Sequence, residues 1–485
     1  MITKYAGFMK GSRALPYLFL LSFFCSGQSV QKMPSQPNFV LFIADDLGVR
    51  DISPYGNTIV QTPHLQRLAQ ESLIFNKAFA ASPTCGPSRS SLFTGLMPLR
   101  HGAHGNHSGV KSGTRSVAHY LSALGYRVAI AGKLHVGPED VFPFERIPGT
   151  NVREPGYEKI SGLYHDLNVE PVDKWLANRE KERPFVLIVA DHSPHVIWPE
   201  KPAYRQEDVD IPPVHIDTPE TRKARARYYT DVTKMDANVG KVLDILHRHD
   251  LEKNTVFMFT SDQGPQWAFG KWNVYDYGVQ VPLMVRWPGH ITGAASAQAL
   301  VSHVDILPTM IEIAGGMNFP EMDGTSFLPV LNNPSLKHRE ILFASHTGDR
   351  QMNRTPMRMV RTDRYKYILN LAPDEIYNTH MNLAKDHDGG REYWPSWLTG
   401  SFRNAHAASV LWRYHHRPAE ELYDTQNDPW EQHNLAADEN YRPMLERLRK
   451  HLTGWRAEQG DDKTGPEDHG PPAPLRQPVA PYVFE

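Results

Sequence analysis

The sequence predicts an α/β fold in which helices cover both faces of a parallel sheet, with a smaller α+β domain after it. Three observations support this class. Short, almost entirely apolar runs recur up to residue 260, as expected for strands buried on both faces of a parallel sheet. Helical periodicity fills the intervals between these runs. From about residue 339 the pattern changes to paired strand-like segments, which indicates a second architecture.

Four apolar runs are predicted to form the strands of the parallel sheet. They span Asn38 to Ala44, Tyr126 to Ala131, Phe185 to Ala190 and Thr255 to Thr260. Between the first two, Thr62 is a typical N-cap and Pro63 suits the first position of the helix that follows. A long helix is predicted where apolar residues from Tyr228 to Leu246 recur on one face.

The segment after residue 338 is predicted to form the smaller α+β domain. Glu340 to Ser345 and Met357 to Asn370 are candidate antiparallel strands, and a turn-like Thr362-Asp363-Arg364 interrupts the second. A final helix runs through Leu445 to Trp455. Residues 461–485 hold six prolines and little periodicity, which predicts an extended or disordered tail. The predicted divisions are a leader at 1–27, a main domain at 37–338, the smaller domain at 339–460 and the tail at 461–485.

The first 27 residues have the layout of a signal peptide. Lys4, Lys10 and Arg13 precede an apolar run from Ala14 to Cys25, which is too short to span a membrane. Cleavage after Gly27 and export to the periplasm or medium are favoured over lipid attachment at Cys25, because the residues before that cysteine make a poor lipobox. No later stretch has the length of a transmembrane helix.

Charge and cysteine content narrow the function classes. The chain has 52 basic and 54 acidic residues, so no global field favours nucleic acid or a membrane surface, and any anion site must be built locally. Cys25 and Cys85 are the two cysteines of the 485 residues. After removal of the leader, Cys85 would remain alone, which excludes an internal disulfide and leaves a buried or a reactive thiol.

Polar side chains follow each predicted strand. Asp45-Asp46 follow the first, Lys133 and His135 the second, His192 and His195 the third, and Asp262-Gln263 the fourth. One such pair would usually be a turn or a helix cap. Because polar residues follow all four predicted strands, the sequence predicts a site at the carboxyl edge of the sheet. The aspartates and the glutamine offer only oxygen ligands, which suits a hard cation such as Ca²⁺.

The run from Cys85 to Gly95, CGPSRSSLFTG, resembles the signature of the type I sulfatases. Similarity to that family extends from about Pro37 to Glu458. The resemblance implies an alkaline-phosphatase-like α/β/α sandwich with a C-terminal antiparallel sheet. It also implies that a formylglycine-generating enzyme oxidises Cys85 to formylglycine, an aldehyde whose hydrate attacks sulfur.

The resemblance further implies roles for individual residues. Arg89 would orient the hydrate, Lys133 would hold the sulfate, and His135, two residues along an extended loop, would take the proton that lets the sulfated hydrate collapse. His195, favoured over His192, and Lys271 would act on the leaving-group side. One Ca²⁺, or Mg²⁺, would be held by Asp45, Asp46, Cys85, Asp262 and Gln263. The family more often has asparagine at the last of these positions.

Three further segments resemble the heparan N-sulfatases, which remove the sulfo group from the amine of glucosamine. They are Gly132 to Glu145, Ser345-His346 and Glu421 to Ala436. The predicted partner is therefore a sulfated saccharide. Alternatives are an O-sulfatase for another glycosaminoglycan or an algal polysaccharide, and an inactive protein that binds sulfated glycans. A phosphomonoesterase or phosphonate hydrolase is disfavoured, because those sites often recruit histidine for transition metals. The segments 101–107 and 370–413 are candidate pocket walls.

Overall fold

The computed structural model describes residues 36–153, 165–317, 319–349, 353–383 and 392–461. The predicted leader at 1–27 and all but the first residue of the predicted tail lie outside these ranges. The strands are β1 (Asn38–Ala44), β2 (Leu73–Phe79), β3 (Arg127–Gly132), β4 (Glu145–Arg146), β5 (Asn151–Arg153), β6 (His165–Leu167), β7 (Phe185–Ala190), β8 (Thr255–Ser261), β9 (Gln280–Arg286), β10 (Ala295–Ser302), β11 (Leu342–His346), β12 (Met357–Arg361), β13 (Tyr365–Asn370) and β14 (Glu420–Asp424).

The α-helices lie mostly between these strands and after the last one. They are α1 (Pro63–Gln70), α2 (Cys85–Thr94), α3 (Pro98–His101), α4 (Val117–Ala123), α5 (Glu170–Ala177), α6 (Pro219–Arg248), α7 (Asp276–Val279), α8 (Ile306–Ile313), α9 (Leu328–Asn332), α10 (His380–Leu383), α11 (Trp394–Ser401), α12 (Ala405–His415) and α13 (Arg442–Glu458). Thr218 caps α6 by accepting a hydrogen bond from the Thr221 amide, and Pro219 opens the helix. None of the described helices is long and apolar enough to cross a bilayer.

The main sheet has eight strands in the order β10-β2-β9-β8-β1-β7-β3-β4. The four strands expected from the apolar runs are its parallel centre, β8-β1-β7-β3. The sheet is mixed beyond them, because β9 runs antiparallel to both β2 and β8. The sequence prediction of parallel strands is therefore confirmed for the centre and did not anticipate β9.

Helices cover both faces of the main sheet. Val40 and Phe42 of β1 pack into one hydrophobic core together with residues of α1, α5 and α6. The alternate residues Phe39 and Leu41 pack into a second core with residues of α2, α4 and α8. Every residue of β1 is buried, which explains its continuous apolar sequence. The predicted α/β/α sandwich is confirmed.

The C-terminal sheet is antiparallel, in the order β11-β12-β13-β14. Thr362-Asp363-Arg364 forms the predicted turn between β12 and β13. The apolar face of α13 packs on this sheet, and its Trp455 stacks on Phe343 with ring centroids 4.9 Å apart. Both sheets belong to one compact unit that begins at Gln36. The domain boundary between residues 338 and 339 stays a prediction.

Candidate active site

The carboxyl ends of the central strands meet at one point of the sheet edge, as predicted. The amide of Asp45, directly after β1, donates to the Ser193 carbonyl after β7 at 3.1 Å. The amide of Asp262, directly after β8, donates to the carbonyl of Ala44 at 3.0 Å. The loop after β3 joins them, because the Lys133 amide donates to the Ala190 carbonyl at 2.9 Å. Four separate strand ends are therefore tied together by backbone hydrogen bonds.

Gly132 allows the loop after β3 to come this close. Its φ is +85°, in the left-handed region, and a Cβ there would lie 2.0 Å from the carbonyl oxygen of Ala190. Glycine is therefore required at this position, both by its conformation and by the approach of β7. The result is that Lys133 begins its loop against the end of β7.

Cys85 lies at the centre of the site. Helix α2 begins at this residue and is buried along its whole length, and Cys85 is 1% exposed. Its Sγ lies 3.7 Å from Oδ1 of Asp45 and 3.9 Å from Oδ1 of Asp46. The Nε2 of Gln263 donates to the same sulfur at 3.4 Å. Oxygens of Asp45 and Asp262 and the Cys85 sulfur all lie within 4.8 Å of one another.

The three predicted cations reach these carboxylates. Arg89, one helical turn after Cys85, donates from Nε to Asp262 Oδ2 at 2.9 Å and lies 3.5 Å from Asp45. Lys133 pairs with Asp45 through its Nζ. Lys271 donates to Asp46 Oδ2 at 2.8 Å and is 2% exposed. The assignment of Lys271 to this group, which depended on a variable spacing, is supported by that contact.

His195 and not His192 faces the carboxylates. Its Nε2 lies 3.6 Å from Asp46 Oδ2, while its Nδ1 donates to the Val196 carbonyl at 2.6 Å. The Nε2 of His192 instead contacts the side-chain oxygen of Asn151 at 2.6 Å. Asp191 shapes the turn between them, because its carboxylate accepts the amides of His192 and Ser193.

His135 is also at the site, but the loop that carries it differs from expectation. Its φ is +46°, so the backbone is not extended there and the simple alternation expected from Lys133 to His135 was wrong. The ring of His135 packs on that of His107 with centroids 4.8 Å apart. Burial, with His107 and Lys133 nearby, lowers the pKa of His135 well below its usual value.

Burial and neighbouring charge move the acid groups in opposite directions. Although burial opposes its ionisation, Lys133, His195 and Arg89 together hold the pKa of Asp45 well below its usual value. Burial raises the pKa of Asp46 to about 7 and that of Asp262 to about 6. Burial also raises the pKa of the Cys85 thiol to about 12, so the unmodified residue is a poor nucleophile at neutral pH.

The donor set fits a hard divalent cation. Three carboxylates and an amide converge without an imidazole, which is the chemistry that Ca²⁺ or Mg²⁺ requires. The Oε1 of Gln263 is buried and accepts no hydrogen bond among the described residues, although its Nε2 donates to Asp46. An amide oxygen in that position is an available ligand. Gln263 therefore fits as the fourth oxygen donor despite the family's preference for asparagine.

Sequence reasoning did not single out several residues beside this group. Gln266 accepts a hydrogen bond from Lys271 at 3.2 Å. Asn106 accepts the Gly86 amide at 3.0 Å, and Asp349, from the loop after β11, contacts His107 at 2.9 Å. Asn106 and His107 belong to the segment 101–107, which was expected to line the pocket. The sequence around Asp349 has no pattern that predicts a position at the site, because this residue follows β11 of the C-terminal sheet.

A cysteine at a buried helix start, converging carboxylates and three cations form a site suited to an anionic substrate, and similarity to known proteins identifies the class as a hydrolase of sulfate esters or sulfamates. Residues 37–317 match the family described as Sulfatase, which covers more than half of the chain, and the protein belongs to that family. Residues 264–388 match a second family, described as N-sulphoglucosamine sulphohydrolase, C-terminal.

Two relatives share about a third of the sequence. The chain is 34% identical to an ulvan-active sulfatase of Formosa agariphila over 435 residues, which cover 88% of this chain and 81% of the relative. It is 32% identical to the human N-sulphoglucosamine sulphohydrolase over 480 residues, covering 87% and 90% of the two chains.

The fold is shared with solved structures. One is the complex of a protein with its substrate D-glucosamine-2-N,6-O-disulfate, with a TM-score of 0.65 at 19% identity over 88% of this chain and 99% of that one. Another is a putative sulfatase from Bacteroides thetaiotaomicron, with a TM-score of 0.67 at 21% identity over 91% and 98%. The predicted sulfatase fold is confirmed.

Proposed function

We propose that the protein removes a sulfo group from a sulfated saccharide, and that its target is the N-sulfo group of glucosamine in heparan-type sugars. The observation that carries the choice of target is the match of residues 264–388 to the C-terminal family of N-sulphoglucosamine sulphohydrolases. This segment includes Lys271 and the aromatic wall beside it, where the Trp272 ring meets His346 and His380 at centroid distances of 5.9 and 5.0 Å. The matched segment therefore borders the reacting group.

The proposed nucleophile is formylglycine at position 85, which supplies a hydrated aldehyde for attack on sulfur. Arg89 suits the stabilisation of negative charge there, because Nη2 of its buried guanidinium has no hydrogen-bond partner among the described residues. Lys133 lies across the same space, paired with Asp45. Both cations are held by buried carboxylates, so they are oriented before a sulfo group arrives.

Ca²⁺ is the proposed cation, held by oxygens of Asp45, Asp46, Asp262 and Gln263 and by the modified residue 85. When bound, it would neutralise sulfo oxygens and acidify the attacking hydroxyl. Mg²⁺ is the alternative, although the four protein oxygens leave less room for the waters that Mg²⁺ usually keeps.

Proton transfer on the leaving-group side is assigned to His195 and Lys271. Both contact Asp46, from separate loops, so they flank one side of the acidic centre. His135 lies apart from them, against His107, and is proposed to accept the proton when the sulfated form collapses. Its lowered pKa, caused by burial, keeps it neutral and able to accept that proton.

An O-sulfatase acting on an algal polysaccharide is the second candidate. The relative at 34% identity, an ulvan-active sulfatase, favours it. The two candidates share the sulfo-binding residues and differ in the sugar. A protein that binds sulfated glycans without turnover is disfavoured, because such a protein would need the cations but not Cys85.

The decisive experiment combines the mass of the peptide containing residue 85 with sulfate release from N-sulfoglucosamine and from O-sulfated ulvan oligosaccharides. The protein should come from a host with a formylglycine-generating enzyme. We expect the aldehyde mass and faster release from N-sulfoglucosamine. Aldehyde with turnover of ulvan fragments alone would replace the proposed substrate by the second candidate. An unmodified thiol in a competent host would contradict the catalytic proposal.

Export is proposed as well, from the signal-peptide pattern of residues 1–27. Fractionation of a host that expresses the full sequence, followed by N-terminal sequencing, should find a mature chain that begins after Gly27 outside the cytoplasm. A chain with a lipid on Cys25 would favour the anchored alternative.

A further inference from the structure

A pair of residues outside the predicted constellation forms part of the wall beside Cys85. His107 lies in the loop between α3 and α4, and Asp349 in the loop after β11 of the C-terminal sheet. The His107 Nδ1 lies 2.9 and 3.1 Å from the two carboxylate oxygens of Asp349. The Asp349 side chain is 4% exposed, whereas that of His107 is 31% exposed. The carboxylate is thus enclosed and the imidazole is accessible.

The loop that carries His107 is fixed between the helix start at Cys85 and the C-terminal sheet. The side-chain oxygen of Asn106 accepts a hydrogen bond from the backbone amide of Gly86 at 3.0 Å, and the backbone amide of Asn106 donates to the Gly348 carbonyl at 2.9 Å. Gly86 is next to the predicted nucleophile and Gly348 is next to Asp349. A shift of either neighbour would therefore move His107.

The carboxylate determines which nitrogen of His107 carries a proton. An ionised carboxylate only accepts hydrogen bonds, so the Nδ1 facing Asp349 must be the donor. In the neutral ring, Nε2 is then an acceptor. Nε2 makes no hydrogen bond among the described residues. The His107 ring packs against the ring of His135. The backbone φ of His107 is +61°, in the left-handed region, where asparagine, aspartate and histidine are found more often than other non-glycine residues.

We propose that His107 is a specificity-determining residue whose Nε2 accepts a hydrogen bond from a hydroxyl of the sugar that bears the sulfo group, with Asp349 as the residue that positions it. The inference rests on the proposed saccharide sulfatase function. His107 lies beside His135, the residue proposed to accept a proton when the sulfated form collapses, but it contacts none of the carboxylates that converge on Cys85. This position suits contact with the sugar ring, and it brings the C-terminal sheet into substrate selection.

The test compares a saccharide with a sulfate ester that has no sugar. kcat/KM is measured for N-sulfoglucosamine and for 4-nitrophenyl sulfate with the wild type, His107→Asn and Asp349→Ala. Asparagine tolerates the left-handed φ and can still donate to Asp349, but it has no counterpart of Nε2. We expect the ratio of saccharide to aryl sulfate kcat/KM to fall about tenfold in both variants, the loss of one hydrogen bond. The loss should be mainly in KM for His107→Asn.

A matched control is Asp173→Asn, which alters another histidine–carboxylate contact, to His249 at 2.7 Å, between α5 and the end of α6. Its ratio should equal that of the wild type. An equal fall for both substrates in the two test variants would overturn the inference, because the pair would then serve sulfo transfer or folding. An unchanged ratio would overturn it too.

A binding measurement separates this inference from the proposed activity. In the Cys85→Ser background, calorimetry measures the affinities for N-sulfoglucosamine and for inorganic sulfate, with and without His107→Asn. A loss of about tenfold for the saccharide alone supports the inference even if the wild type hydrolyses neither ester. Equal losses for both ligands would overturn it, while absence of wild-type turnover would count against the proposed function alone.

Discussion

Two buried clusters of charge use the same residue types in different geometries. In the active-site cluster, three carboxylates converge near Cys85 and each pairs with a cation: Asp45, Asp46 and Asp262 with Arg89, Lys133 and Lys271. In the interface cluster, cations and carboxylates alternate where the C-terminal sheet meets α7: Arg361, Asp276, Lys366 and Glu431. There, Arg361 lies 2.7 Å from Asp276, and Lys366 lies 2.8 Å from Glu431.

The difference shows that buried charged residues can either bind a ligand or stabilise the fold, depending on their arrangement. In the interface cluster the carboxylates of Asp276 and Glu431 meet at a protein cation, Lys366, and Asp276 also pairs with Arg361, so their charges are balanced within the protein. Convergence in the active-site cluster places like charges side by side, which is costly unless a ligand cation joins them. The buried Gln263 Oε1, with no donor among the described residues, marks that point. The following changes test this contrast.

The largest effect is expected from Cys85→Ala, which removes the proposed nucleophile at the convergence point. Sulfate release should fall by at least about 10⁴-fold, because the attacking group is lost while the surrounding charges remain. Thermal unfolding should change little, since the cavity left by one sulfur is small. Steady-state kinetics and calorimetry measure the two quantities. Activity within tenfold of the wild type would show that residue 85 is not the nucleophile.

The interface cluster should show the opposite behaviour in Lys366→Met. This change leaves Asp276 and Glu431 without their shared cation, and we expect a loss of about 3–5 kcal/mol in the free energy of unfolding. The kcat of the protein that remains folded should be unaltered. Urea denaturation gives the stability. The control is Lys77→Met, whose pair with the exposed Asp363 should contribute less than about 1 kcal/mol. Equal losses in the two variants would remove the distinction.

Gln263→Ala tests whether the active-site cluster needs its fourth oxygen for the cation. The affinity for Ca²⁺, measured from the rise in Tm with calcium concentration, should weaken about tenfold or more. Gln266→Ala is the matched control, because its side chain contacts Lys271 but not Cys85. Wild-type calcium affinity in Gln263→Ala would exclude this side chain as a ligand.

The smallest effect concerns the pH dependence of stability through Glu431. Burial raises the pKa of Glu431 from 4.5 to about 7, against the effect of Lys366. Between these values the folded state retains a proton that the unfolded state has lost, so this group makes stability fall as pH rises from 4.5 to 7. Glu431→Gln should reduce that slope in urea titrations across the window. An unchanged slope would contradict the raised pKa.

The central sheet and most of the site could be predicted because their signals are local. Continuous apolar runs marked β1, β7 and β8, and the polar residues that follow each run met at the shared edge. The strands β9 and β10 were not anticipated. Both strands pair with β2 on one side of the mixed sheet, and β9 also pairs with β8; these are long-range contacts that their own sequences do not specify.

The contribution of the C-terminal sheet to the site could not be predicted for a related reason. Asp349 is separated by 242 positions from its partner His107, and the sequence around it has no catalytic pattern. The position of His135 was predicted but its loop conformation was not, because a positive φ at a histidine depends on the packing around it. Sequence alone identified the groups that the strand ends and the start of α2 bring together, and it missed Asp349, which arrives through the second sheet.

The burial of α2 bears on whether Cys85 is oxidised before or after the protein folds. All ten residues of this helix are buried, with Cys85 at its first position. In the folded protein Cys85 is 1% exposed, so an enzyme that oxidises it would have no access to the thiol. The proposed maturation must therefore take place on the nascent or unfolded polypeptide. The proposed oxidation would then compete with folding, and a chain that folded first would keep an unmodified Cys85.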